Sequence, residues 1–149
     1  MKLIKTILIL LFAVFFFKIS AVYGQSEFTF CDYVDESWNP VGASPVMKSS
    51  AGMNFLVKMQ EKMTNQNYAW VIYRTDASGK DAEWVNELIL TIDDQVCITS
   101  GCRFFCTTEK TYLKSGSYRV YFIIENDKEP NYKSGNLSKY LCKGEVTVQ

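Results

Sequence analysis

The chain has 149 residues, 16 basic and 16 acidic side chains, five cysteines and no histidine. Without histidine it lacks the commonest general base, the commonest zinc ligand besides cysteine and the usual near-neutral pH switch, so any catalysis would fall to carboxylates or a lysine. The absence of a basic cluster, with a mildly acidic balance once the lysines of an N-terminal leader are set aside, argues against nucleic acid and anionic lipid as partners.

The first 24 residues read as a secretory signal peptide. Lys2 and Lys5 make a positive start, residues 7–17 are an unbroken apolar run, and Val22-Tyr23-Gly24 places a small residue just before Gln25. That order of parts matches a cleaved leader. A membrane anchor is the competing reading, and the run is short for a bilayer. Removal of 1–24 takes three basic residues and no acid, so the mature domain, 25–149, has 125 residues and a net charge of −3. That size suits one domain. The expected destination is outside the cytoplasm, secreted or periplasmic, with no stable membrane insertion after the leader is lost.

The rest of the chain reads as short strands between turn-formers. Residues 27–34 form a first, irregular candidate. Met53, Phe55, Val57 and Met59 alternate with Asn54, Lys58 and Gln60, the period of a half-buried strand. Residues 61–67 are polar and read as a loop. Residues 68–74 are rich in aromatic and β-branched side chains. A turn at 76–81 follows, then a strand at 83–92 with Trp84, Leu88, Leu90 and Ile92 expected on one face. Residues 96–107 read as a strand broken at Ser100-Gly101. Tyr118, Val120, Phe122 and Ile124 alternate again, and a last strand is expected over 140–148. About seven strands and no long amphipathic helix predict an all-β sandwich or barrel.

The stretch Leu113-Lys114-Ser115-Gly116-Ser117-Tyr118-Arg119-Val120-Tyr121 resembles the entry to strand F of immunoglobulin-like domains. The resemblance implies a single immunoglobulin-like β-sandwich in which Tyr118 is a corner tyrosine, its hydroxyl bonded back to the upstream turn. It also implies that Trp70 is the core tryptophan of strand C and that residues 52–57 begin strand B. Val120 stands where antibody domains carry their second core cysteine, and the proposed strand B has none. The resemblance is therefore to the wider bacterial-type and fibronectin-like sandwiches, and it speaks to fold more than to function.

In an oxidising compartment the five cysteines are expected to form disulfides, with at least one left unpaired. Cys31 and Cys142, on the first and last strands, are the first candidate pair, because such strands often lie near each other in these sandwiches. Cys97 with Cys106 is the second, across the turn at Ser100-Gly101. Cys102 is then the free thiol, whether exposed, buried or bridged to another chain. A rival reading makes Cys97, Cys102 and Cys106 a metal or redox cluster, although their spacing matches no common metal pattern.

Among other groups, Asp76 with Asp81 and the pair Asp93-Asp94 lack the spacing of a calcium loop, and aspartates in turns commonly bond their own backbone. No pair of carboxylates stands out as catalytic. Trp38, beside Asn39-Pro40, is the tryptophan expected on a loop and available to a ligand, whereas Trp70 and Trp84 are expected in the core. Asn136-Leu137-Ser138 is a formal glycosylation sequon. The sequence thus predicts a non-catalytic module without cofactor or metal, used for protein binding or a structural or adhesive role. Its partner would be a protein or a cell-surface glycan. A thiol or metal protein and a carbohydrate-binding module are the alternatives.

Overall fold

The computed structural model describes residues 26–135 and 137–149. The expected leader, residues 1–24, lies outside the described residues, as does the sequon's Asn136.

Ten strands run in the order β1 (Glu27–Cys31), β2 (Tyr33–Val34), β3 (Pro40–Val41), β4 (Val46–Met47), β5 (Asn54–Met63), β6 (Asn67–Thr75), β7 (Asp81–Thr91), β8 (Cys102–Cys106), β9 (Gly116–Ile124) and β10 (Cys142–Val148). A short α-helix, α1 (Gln95–Ser100), precedes β8. Three strands pair in the order β1-β5-β8, five in the order β4-β10-β9-β6-β7, and β2 with β3 forms a separate hairpin. All pairings are antiparallel except β4 with β10. This is the immunoglobulin-like plan, with A, B and E strands in one sheet and A′, G, F, C and C′ in the other.

The alternation seen in the sequence now has a physical cause. Phe30, Phe55, Val57 and Phe105 face inward from the small sheet and meet Tyr68, Trp70, Ile72, Val120, Phe122 and Val146 from the large one. Phe122 sits among the rings, with centroids 5.0 Å from Trp70 and 5.2 Å from both Tyr68 and Phe105. Gly144 of β10 leaves room for Phe28 and Phe30. A Cβ there would lie 2.6 Å from a Phe28 ring carbon and 2.9 Å from one of Phe30.

Strand β6 reads as a continuous apolar run because both its faces are buried. Ala69, Val71 and Tyr73 join Tyr121 and Ile123 on the outer face of the large sheet, where Leu137, Tyr132 and Trp84 pack over them. The connection between β9 and β10, residues 125–141, supplies Tyr132 and Leu137 and acts as a strap. Lys128 pairs with Glu87 and with Glu125, the latter at 3.0 Å, while the Tyr132 hydroxyl donates to Glu87 and the Tyr73 hydroxyl to the Tyr132 carbonyl. Lys133 lies 4.5 Å over the Trp84 ring, and Ser138 donates to Glu129 through both its backbone N–H and its hydroxyl, at 2.9 and 2.6 Å.

Several elements differ from expectation. Strand β5 continues through the polar residues to Met63, so the expected loop at 61–67 shortens to the few residues before β6. Residues 95–100 are helix rather than strand, because Asp94 caps them: its side chain accepts from Val96 N–H at 2.7 Å and Cys97 N–H at 3.4 Å. Trp84 does not share a face with Leu88 and Leu90. The register slips between Ile72↔Asn86 and Tyr73↔Trp84, and the extra residue, Val85, turns Trp84 to the outer side.

Candidate recognition site

The site is built on the turn between β2 and β3, a stretch rich in turn-forming Asp, Ser, Asn and Pro. Asp35 organises it. One carboxylate oxygen accepts from Ser37 N–H at 2.9 Å and Asn39 N–H at 2.8 Å, and the other from the Asn39 side chain at 3.2 Å. The backbone closes the turn by Trp38 N–H to the Asp35 carbonyl and Asp35 N–H to the Asn39 carbonyl, both 3.0 Å. The hydrogen bonds from Asn39, with a lesser one from Ser37, hold the Asp35 carboxyl below its ordinary value against the opposing effect of desolvation.

These bonds fix Trp38 at φ 62°, the one non-glycine residue with positive φ among the described residues. For a bulky side chain that conformation is strained. The indole stacks on Phe104 of β8, ring centroids 5.7 Å apart and planes 30° from parallel, and it remains 44% exposed. Phe104 alternates with the inward Phe105, so it lies on the outer face of the small sheet, where Lys58 approaches its ring to 5.9 Å. Tyr33, on the same hairpin, is also exposed. The result is an exposed indole stacked on a second ring, Phe104, which Lys58 also approaches.

The expected structural residues occupy the core. Trp70 is fully buried, and the Tyr118 hydroxyl donates to the Lys114 carbonyl at 2.8 Å, four residues upstream.

The cysteines pair differently from expectation. Cys97 bonds to Cys102, with Cα atoms 4.9 Å apart, and Cys31, Cys106 and Cys142 carry free thiols. Helix α1 explains the change: its turn folds Cys97 back toward the start of β8, whereas Cys106 is carried four residues farther along the strand. Cys102 is therefore not the free thiol. Cys31 and Cys142 do not meet either. Cys142 packs in the inner core with its thiol 3.5 Å from the Ser26 carbonyl, at the start of β1. Cys31 ends that strand, five residues and about 17 Å away, beyond the reach of a disulfide.

Burial raises the thiols of Cys31, Cys106 and Cys142, that of Cys31 to about 11 with further pushes from Cys106 and Asp32. Such thiols stay protonated near neutrality and are poor nucleophiles and ligands. With two of its three sulfurs joined, the 97/102/106 set does not converge as a thiolate cluster. Among the described residues no three His, Cys, Asp or Glu side chains gather as a metal site.

Asp76, Asp81 and Asp94, among the carboxylates singled out in the sequence, have structural work. Asp76 accepts from Ser78 N–H at 2.8 Å, the Ser78 hydroxyl at 2.6 Å and Lys80 N–H at 3.0 Å. Asp81 pairs with Arg119 at 2.8 Å and accepts from the Tyr121 hydroxyl at 2.6 Å. Burial, followed by that bond to Asp81, pushes the Tyr121 hydroxyl up to about 12. Glu87 and the strap were not singled out in the sequence, since nothing local links Glu87 to residues 128 and 132.

Among the described residues no helix is long and apolar enough to cross a membrane. No family model matches the sequence, and no curated protein matches it. Among solved structures the chain is similar to an immunoglobulin-like protein from Pseudomonas aeruginosa, at 10% identity and a TM-score of 0.44, over 85% of this chain and 93% of that one.

Proposed function

We propose that residues 25–149 are an exported, non-catalytic binding module that uses Trp38 and its hairpin to hold a protein partner. The observation that carries this reading is the strain at Trp38. A bulky exposed residue persists at positive φ only where the surroundings over-determine it, and such outliers concentrate at functional sites, ligand clamps among them. An aromatic ring fixed before binding contributes contact area at little entropic cost.

Export is supported by the order of charged, apolar and small residues in 1–24, and by the disulfide, which suits an oxidising compartment. The non-catalytic reading is supported by the carboxylates: Asp35, Asp76, Asp81, Asp94 and Glu129 are each tied to local donors. Glycan stacking on Trp38 is the alternative.

The test is affinity capture from the surface or extracellular fraction of the source cells, with wild type and Trp38→Ala side by side, together with a glycan array. A protein captured by wild type and lost by a fully folded Trp38→Ala supports the proposal. Capture unaffected by the substitution, or glycan binding alone, refutes it.

A further inference from the structure

Strand β7 ends the five-stranded sheet, and its outer edge has no partner strand among the described residues. Edge strands are commonly guarded by lysine, proline or a bulge. In β7 the bulge at Val85 guards the first half, but residues 86–91 (Asn-Glu-Leu-Ile-Leu-Thr) contain neither lysine nor proline, and Ile89 is 54% exposed.

The hydrogen-bond parity of this segment is set. Ile92 N–H donates inward to the Gln66 carbonyl at 2.8 Å. Inward and outward groups alternate along an antiparallel strand, so Leu88 and Leu90 also bond to β6, while Glu87, Ile89 and Thr91 present N–H and C=O at the open edge.

We propose that this edge pairs with the same edge of a second copy of the chain, antiparallel about a two-fold axis at Ile89. In that register Ile89 faces Ile89 of the other copy as a hydrogen-bonded pair, and Glu87 faces Thr91. No like charges oppose one another, and each Glu87 is already neutralised by Lys128 of its own chain.

The side-chain faces also match. A two-fold axis perpendicular to the sheet keeps both inner faces on one side, so Leu90 of the second copy extends the row formed by Phe122, Trp70 and Leu88. Beside that row lies an open cleft of about 280 Å³, its lining including Trp70, Leu88, Leu90, Thr107 and Glu109. The buried indole N–H of Trp70, which borders the cleft, has no hydrogen-bond partner. The second copy's leucines would cover this cleft, and Leu88 and Leu90, half-buried in one chain, would become fully buried.

The test is analytical ultracentrifugation of the exported protein over a concentration series, with Ile89→Lys as the disrupting variant and Ile89→Cys as the register probe. Expected are a dimer that grows with concentration, its loss in Ile89→Lys with a melting midpoint unchanged at concentrations where wild type is monomeric, and an oxidised 89–89 cross-link identified by peptide mass spectrometry. A monomer up to the solubility limit, a dimer that Ile89→Lys leaves intact, or a dimer whose Ile89→Cys form gives no 89–89 cross-link would overturn the proposal.

Discussion

Lys128 clamps the strap to the sheet through Glu87, a residue 41 positions earlier in the chain. Burial alone would raise the Glu87 carboxyl, but the hydrogen bonds from Lys128 and Tyr132 outweigh it and bring it below its ordinary value of 4.5. For Lys128, burial opposes the charge and the Glu87 and Glu125 bonds outweigh it, so its ammonium is raised above 10.5.

A strap stability window follows from those signs. The Glu87 contribution is present above about pH 4.5 and is lost as pH falls through the depressed folded value; the Lys128 contribution is present below about pH 10.5 and is lost as pH rises through the raised one. Protection from hydrogen exchange in residues 125–135, taken relative to the intrinsic rate at each pH, should fall at both extremes before that of the core strands. Glu87→Gln should cost about 1–3 kcal/mol and remove the acid arm. Uniform exchange across strap and core would show that the strap has no separate stability.

Trp38 offers a way to separate strain from contact. Trp38→Ala loses the stacking on Phe104 and keeps a Cβ at positive φ, whereas Trp38→Gly loses the same stacking and is free of that strain. Trp38→Gly should therefore be more stable than Trp38→Ala by about 1 kcal/mol. Under the proposed function both lose the partner. Equal melting midpoints for the two variants would show that the turn imposes no strain.

Gly144→Ala should destabilise by about 1–3 kcal/mol, because the added methyl meets the Phe28 and Phe30 rings. Phe28→Ala should relieve much of that cost when combined with it. Denaturant midpoints of the single and double variants check both statements, and simple additivity would place the cost elsewhere.

Intact mass under denaturing, non-reducing conditions should show three alkylated cysteines, rising to five after reduction. In the native state Cys31 and Cys142 should be protected by burial. One alkylated thiol before reduction would mean that a second disulfide forms in the protein.

Much of the framework was legible because the sandwich imposes a simple period on the chain. Tyr118, Val120 and Phe122 alternate since one face of β9 meets the core, and the turn before Tyr118 carries its own small residues. Trp84 was misplaced because one bulged residue reverses every side chain beyond it, and the bulge is set by pairing with β6 rather than by local propensity. The disulfide was misread for a related reason: extended and helical chain put Cys97 at different distances from Cys102, and the Asp94 cap that decides between them was read only as a turn carboxylate. Trp38 was found from Asn39-Pro40, whereas its φ and its Phe104 backing depend on contacts distant in sequence.

The parallel pairing of β4 with β10 joins Val46 to Thr147 and Met47 to Val148. The order in which the chain is made therefore constrains when it can fold. Until residues 142–148 are available, β4 has no neighbour in the large sheet and β9 lacks the strand on its other side. Closure of the large sheet waits for residues 142–148, the segment that bridges β4 and β9. Deletion of residues 142–148 should then leave a protein that cannot complete its fold, rather than a slightly shorter one.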